Sequence, residues 1–373
     1  MRLFKKKQNI VMKYPVAKPA ISFQEKQYLR EVIDSGWISS SGPFIERLEE
    51  AFARAIGTKY AVACSSGTAA LTIALRALGI GEGDEVIVPE FTMVASAWAV
   101  TYTGAKPVFV DCGDDLNIDV SLIEAAITSN TRAIMPVHIY GRPCAMKEIK
   151  RLAYKHNLYI VEDACEAHGA DIDGRKVGSF GDMGCFSFYG NKIITTGEGG
   201  MVVTHDKSLM EKMKMLRDHG QDPKRRYYHP VIGFYYRLTN IQAALGCAQL
   251  ERIEEFIRKK RTIAHYYTRL LSSISGIKTP VEKEWARSVF WMYSILIEKD
   301  SGKTRDQVMH LLEREGIETR PFFIPLHTLP FYRTKEQFPN ATYLSHSGLN
   351  LPSSVTLKEE QIRSIVSCIK KFA

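Results

Sequence analysis

Three short segments carry side chains that can do chemistry together: Ser65-Ser66-Gly67-Thr68, Val161-Glu162-Asp163 and Ser187-Phe188-Tyr189-Gly190-Asn191-Lys192. The first closes an expected strand and opens an expected helix, so the N–H groups of Gly67 and Thr68 and a nearby hydroxyl face whatever sits at the helix N-terminus. Unpaired donors and the positive end of the helix dipole suit a phosphate there, although an ordinary capped helix has the same sequence signature. The second segment ends a strand with two acids, at the carboxyl edge where open α/β sheets bind ligands. An aspartate at that point can pair with a protonated ring nitrogen, or it can serve as a cap or a salt-bridge residue. The third sets Lys192 in a Gly-flanked loop ahead of Thr195, Thr196 and Gly197-Glu198-Gly199-Gly200. A loop lysine is usually a solvated charge. Here Phe186, Phe188, Tyr189 and Gly190 are expected to desolvate the amine and favour imine formation with a carbonyl.

The elements that must position these segments follow an alternating rhythm. Tyr60–Cys64, Glu85–Val88, Lys106–Val110, Arg132–Val137 and Leu158–Val161 read as strands separated by helix-length stretches, the pattern of an α/β sheet. Helix starts are expected at Asp119, before Val120–Ile127, and at Thr68, before Ala69–Leu78. Short strands at Cys185–Phe188 and Gly200–Thr204 lead into a helix over Leu209–Arg217. A long charged helix from about Asn240 to Leu271 is expected to link two domains. Beyond it, a strand at Met292–Ile297 and amphipathic helices at Arg305–Glu315 and Lys358–Lys371 predict a small α+β domain. The expected division is a basic tail over 1–13, a large domain over 14–250 and a small domain over 251–373. The run Gly79-x-Gly81-x-Gly83 precedes a strand instead of joining a strand to a helix, which reverses the dinucleotide-binding context and reads as a turn.

Composition narrows the classes further. With 373 residues, 45% of them hydrophobic and 24% charged, the chain is globular and long enough for one large and one smaller domain. The apolar stretch Val86–Val100 is interrupted by Glu90, so no membrane-spanning helix is expected. Met1–Met12 is basic but has no apolar stretch of the secretory kind. Seven cysteines without a C-x-x-C pair argue against a disulfide framework and against a zinc site, and point to a reducing cytoplasm. The net charge of +9 is spread along the chain with no nucleic-acid-binding signature, and is compatible with an anionic small substrate.

Taken in order, Ser39–Phe44, Ser66–Leu71, Glu85–Pro89, Val137–Gly141, Glu162–Gly169, Phe186–Lys192 with Thr196–Gly200, and Tyr236–Gly246 resemble the DegT/DnrJ-type sugar aminotransferases from about Tyr14 to the C-terminus. The resemblance implies a fold-type I transferase that uses pyridoxal 5'-phosphate (PLP): an α/β large domain with a mixed, mostly parallel sheet and a smaller α+β C-terminal domain. It implies that Lys192 holds the cofactor covalently and moves the substrate proton. It also implies that Asp163 pairs with the pyridine nitrogen and that Gly67, Thr68 and Ser187 hold the phosphate. Asn240 matches a residue that reaches the phosphate from the neighbouring subunit, so a homodimer with shared active sites is implied. Two positions depart from the family pattern. Glu166 stands near the cofactor's phenolic oxygen where glutamine is common. Met93 stands where an aromatic usually covers the ring; a thioether can cover a ring face, and a core methionine remains the alternative.

Thr319–Pro330 together with Glu166 resembles the subgroup that makes GDP-perosamine. This implies amino transfer from L-glutamate, which leaves as 2-oxoglutarate, to GDP-4-keto-6-deoxy-D-mannose. A UDP- or dTDP-linked keto sugar or an 8-oxo-octulosonate remains an alternative substrate on the same scaffold. A PLP-dependent sugar dehydratase is disfavoured by Lys192, since histidine commonly replaces the lysine there. His327, Arg237, through its paired donors, and His219 are the expected substrate contacts. A nicotinamide oxidoreductase is disfavoured because no G-x-G-x-x-G joins a strand to a helix.

Overall fold

The computed structural model of the chain describes residues 12–372. The expected tail, residues 1–11 of it at least, lies outside the described residues. Seven strands form the central sheet: β1 (Tyr60–Cys64), β2 (Glu85–Pro89), β3 (Lys106–Val110), β4 (Thr131–Ile134), β5 (Tyr159–Asp163), β6 (Met183–Ser187) and β7 (Gly200–Thr204). Their order is β1-β7-β6-β5-β4-β2-β3. β2 pairs in parallel with β3 and β4, β4 with β5, and β5 with β6, while β7 runs antiparallel between β1 and β6. This is the mixed, mostly parallel sheet that the alternation and the resemblance imply. β2, β6 and β7 are buried at every position, as strands covered on both faces must be. Because β1, β2, β5 and β6 all point the same way, the residues that follow them gather along one edge of the sheet.

The smaller domain carries a four-stranded antiparallel sheet in the order Ile277–Lys278, Tyr293–Ile297, Gly348–Leu351, Arg320–Pro321. Helices Ile253–Leu271, Arg305–Arg314 and Glu359–Phe372 close over it, around a core that includes Tyr267, Tyr293, Leu312 and Ile365. A second apolar cluster crosses between the domains. It joins Phe52, Phe186 and Phe188 to Phe256, Trp291 and Phe322.

Two expectations change. The long helix is two helices, Asn240–Glu251 and Ile253–Leu271, broken at Arg252 (φ −109°, ψ 7°). No proline or glycine marks the break. Arg252 instead reaches Glu25 at 3.3 Å and Glu255 at 3.2 Å, and the chain passes there from a helix buried on most faces to an amphipathic one. The helix after β1 begins at Gly67, with Ser66 and not Thr68 as its cap: the Ser66 hydroxyl accepts from Ala69 N at 3.1 Å. Near the expected boundary at residue 14 the chain contacts the small domain. Lys13 N donates to Gly316 O at 2.8 Å, Tyr14 bridges to Ile317, and Ser353 N donates to Val16 O at 3.0 Å. These residues edge the small domain before the chain crosses to the large one.

Candidate active site

A cleft of about 420 Å³ opens between the carboxyl edge of the central sheet and the first residues of the small domain's strands. Gly67, Thr68, Met93, Asp163, Glu166, Ser187 and Lys192 all line it. The three segments singled out by chemistry therefore meet, across 125 residues of chain from Gly67 to Lys192.

At one end the helix Gly67–Ala77 presents its first N–H groups, which have no intrahelical acceptor. A Cβ at Gly67 would stand 2.8 Å from Ser187 Cβ and 2.9 Å from Cys165 Sγ, so only glycine lets the helix start and the end of β6 close into one cradle. The Ser187 hydroxyl accepts from Tyr189 N at 3.3 Å, which leaves its own proton to donate. Donors converging at a helix N-terminus form an anion site.

The two acids that end β5 have separate jobs. Glu162 is fully buried and accepts from Gly178 N (2.7 Å), Phe180 N (2.6 Å) and Gly181 N (2.7 Å). His138 Nδ1 accepts from Cys144 N at 3.0 Å, so its Nε2 carries the proton and donates to Glu162 at 3.1 Å. Glu162 is thus spent on tying the loop after β5 to the sheet. Asp163, 5% exposed, takes one bond per oxygen, from the Ser96 hydroxyl at 2.8 Å and Cys165 N at 3.1 Å. Among the described residues no cation lies within 4.0 Å of it. A buried carboxylate facing a cleft without a counter-charge is costly, and a protonated ring nitrogen would supply that charge. On these observations the donor cradle and the unpaired carboxylate fit PLP.

Between these ends, the Lys192 side chain is 10% exposed and its Nζ lies 3.9 Å from Glu166 Oε1. Burial pushes the Glu166 carboxyl up to about 7, against the opposing effects of the Lys192 charge and of the Tyr140 N–H, which donates to Oε2 at 2.7 Å. Met93 is 45% exposed, and its Sδ accepts from Ala95 N at 3.0 Å. The aromatic that covers the lysine is none of those expected from its own loop. Phe186 and Phe188 pack inward on Phe52, and Trp291 takes the place, with its ring centroid 3.8 Å from Nζ.

Four expected site residues do not line the cleft. Asn240 is buried and engaged within its own chain: Oδ1 accepts from Phe44 N at 3.0 Å and Nδ2 donates to Trp37 O at 2.7 Å. His327 is turned to the buried Glu90, whose Oε1 accepts from its backbone N at 2.7 Å and lies 2.6 Å from its Nδ1. His219 stacks on Tyr235, with centroids 4.9 Å apart, and Arg237 lies over the same ring and 3.3 Å from Asp218. Ser66, from the first segment, and Arg320, from the Thr319–Pro330 stretch, also line the cleft, and Trp291 and Asn350 line it without having been singled out. Trp291 and Asn350 come from a different domain, and no local spacing announces them.

The family model described as the DegT/DnrJ/EryC1/StrS aminotransferase family matches residues 19–370. The GDP-perosamine synthase of Caulobacter vibrioides is 47% identical over 358 residues, covering 95% of this chain and 96% of that one. The GDP-perosamine synthase of Escherichia coli O157:H7 is 46% identical over 364 residues, covering 97% and 99%. Among solved structures, S. venezuelae DesV in complex with a ketimine intermediate superposes with a TM-score of 0.88 at 36% identity over 93% of each chain. Helicobacter pylori PseC, an aminotransferase involved in the biosynthesis of pseudoaminic acid, superposes with a TM-score of 0.92 at 29% identity over 96% of this chain and 99% of that one. The match spans both domains and every segment that builds the cleft: this chain belongs to the DegT/DnrJ/EryC1/StrS aminotransferase family and is a PLP-dependent sugar aminotransferase.

Proposed function

We propose that this enzyme moves an amino group from L-glutamate to C4 of GDP-4-keto-6-deoxy-D-mannose, giving GDP-perosamine, and that it works in the cytoplasm as a homodimer. The observation that carries the substrate is near-full-length identity of 43–47% to three relatives named GDP-perosamine synthase. Among the described residues no helix is long and apolar enough to cross a membrane. Support for the dimer comes from apolar side chains left on the surface, among them Trp37, Ile38 and Ile232, the last 90% exposed.

In this reading Gly67, Thr68 and Ser187 hold the cofactor phosphate, Asp163 pairs with the ring nitrogen and Met93 covers a ring face. When bound, the cofactor supplies an electron sink that makes a proton on the substrate carbon removable. Lys192 is the nucleophilic amine. Once freed, its Nζ takes the proton from the glutamate α-carbon, and in the second half-reaction it returns a proton to the sugar carbon. Glu166, balanced near neutrality beside Nζ, can accept a hydrogen bond from the ammonium or donate one when protonated. Ser96 keeps the Asp163 carboxylate aimed while the substrate changes. Arg320, 3.8 Å from Glu318 and on the cleft wall, offers paired donors to a substrate anion.

The test is to load the purified protein with PLP, add L-glutamate, remove 2-oxoglutarate, and supply GDP-, UDP- and dTDP-linked 4-keto-6-deoxy sugars separately. The expected result is loss of the lysine-imine absorbance with glutamate and its return with the GDP sugar alone, with the aminated sugar identified by mass spectrometry. Return with a UDP or dTDP sugar instead would reassign the substrate within the family.

A further inference from the structure

Trp291 lies two residues before the small domain's strand Tyr293–Ile297, yet it is fastened to the lysine loop of the large domain. Its indole N–H donates to the carbonyl of Asn191, the residue before Lys192, at 2.8 Å. Its own carbonyl accepts from Lys260 Nζ at 2.7 Å. Its ring stacks on Tyr140 (centroids 6.1 Å apart, 29° between planes), and Tyr140 N is the donor that holds Glu166. Lys192 Nζ completes the set over the indole face.

Two features show that this placement is held against a cost. Phe290, directly before Trp291, has φ 46°, and Tyr140 has φ 51°. Bulky residues enter the left-handed region only where their surroundings impose it, and such strain gathers at functional sites. The strained pair meet where Val289 N and the Ser288 hydroxyl each donate to Gly141 O at 3.0 Å. A Cβ at Gly141 would come within 2.9 Å of Trp291 N. Lys260, on helix Ile253–Leu271, is buried, and burial alone pushes its ammonium down to about 7. Its only other acceptor among the described residues is the Ser353 hydroxyl at 3.2 Å. An apolar residue would fill such a position at lower cost if packing were its whole role.

We propose that Trp291 is a positioning residue for Lys192 and that Lys260 is the anchor that fixes it. The indole plate keeps the amine beside Glu166 whenever Lys192 is not in covalent use, and ties the lysine loop to the first residues of the small domain. A cation over an indole face is held electrostatically without the directional demand of a hydrogen bond, which suits an amine that must leave and return. The proposal rests on the reading of Lys192 as the reacting amine.

The experiment uses the full-length apoprotein. Wild type, Lys192→Ala, Trp291→Phe, Trp291→Leu, Lys260→Met and Lys260→Arg are mixed with PLP, and imine formation is followed by stopped-flow absorbance. The dissociation constant of pyridoxamine 5'-phosphate, which fills the same cradle but has no aldehyde, is measured in parallel. Trp291→Leu and Lys260→Met are expected to slow imine formation roughly tenfold, with Trp291→Phe and Lys260→Arg between them and wild type. Pyridoxamine phosphate binding should change less than about threefold, since the phosphate cradle and Asp163 are untouched. Wild-type rates in these variants would overturn the proposal, and so would a parallel loss of rate and of pyridoxamine phosphate binding. If Lys260→Met does not fold, Trp291→Phe decides: it keeps a ring but loses the bond to Asn191 and the stronger cation-binding face of the indole. Absence of imine in wild type itself would instead remove the underlying reading of Lys192.

Discussion

At the scale of residues, the site divides identical chemistry by surroundings. Glu162 and Asp163 are adjacent carboxylates at the end of one strand, but alternation sends them to different sides. Glu162 meets three backbone N–H groups and a histidine, and Asp163 meets the cleft. Glu166 makes the stability depend on pH near neutrality. Its pKa is about 7 in the folded protein against an ordinary 4.5, so folding takes up a proton between those values. The stability it contributes is complete below about pH 4.5 and is lost as the pH rises through about 7. The stability of the apoprotein relative to Glu166→Gln should therefore fall by on the order of 2 kcal/mol between pH 5 and pH 8. Urea unfolding of both proteins at the two pH values measures this, and an unchanged difference would show that Glu166 titrates normally.

At the scale of elements, caps and close approaches decide where the chemistry stands. Ser66 starts the phosphate-facing helix, and Gly67 lets that helix meet β6. Asn240 does a comparable job for the N-terminal helices. It opens the helix Asn240–Glu251 behind a Thr239–Gln242 capping box, while its side chain caps the helix Pro43–Ile56 at Phe44 and holds Trp37. Asn240→Ala leaves the buried Phe44 N–H unpaired and frees the part-buried Trp37 carbonyl, so it should destabilise the chain by about 1–3 kcal/mol in urea unfolding. PLP affinity should change less than about threefold, apart from any loss through unfolding. A large loss of PLP affinity at unchanged stability would support the expected phosphate contact of Asn240 across subunits.

At the scale of the whole molecule, the cleft is made by two domains that also share a core, with Phe256, Trp291 and Phe322 packed into the cluster of Phe52, Phe186 and Phe188. The Glu90–His327 pair adds a polar tie between the loop after β2 and the small domain's wall. Movements of the small domain must therefore be felt at the lysine. The exposed apolar side chains Ile33, Trp37, Ile38 and Ile232 belong to the same scale. If a second copy covers them, Trp37→Glu and Ile232→Glu should each raise the dimer dissociation constant about tenfold or more, read by sedimentation velocity over a dilution series. A chain that sediments as a monomer before any substitution would end the homodimer reading.

Much of this protein was written locally. Strand alternation, the glycine at a strand-to-helix corner, two acids at a strand end and a lysine in a glycine-flanked loop are patterns of neighbouring residues, and they were enough for the α/β fold and for three candidate segments; the PLP chemistry came with their joint resemblance to the aminotransferase family. What only the tertiary structure decided is which distant side chains meet. Trp291 lies 100 residues beyond Asn191 and Glu90 lies 237 before His327, and periodicity carries no information over such separations. The break at Arg252 has the same origin, a contact with Glu25 where the local sequence favours a continuous helix. His327, Arg237 and His219 were chemically suited to a substrate, and folding turned the first toward Glu90 and the other two toward Tyr235. Residue type sets what a side chain can do, and the packing of the two domains sets what it faces.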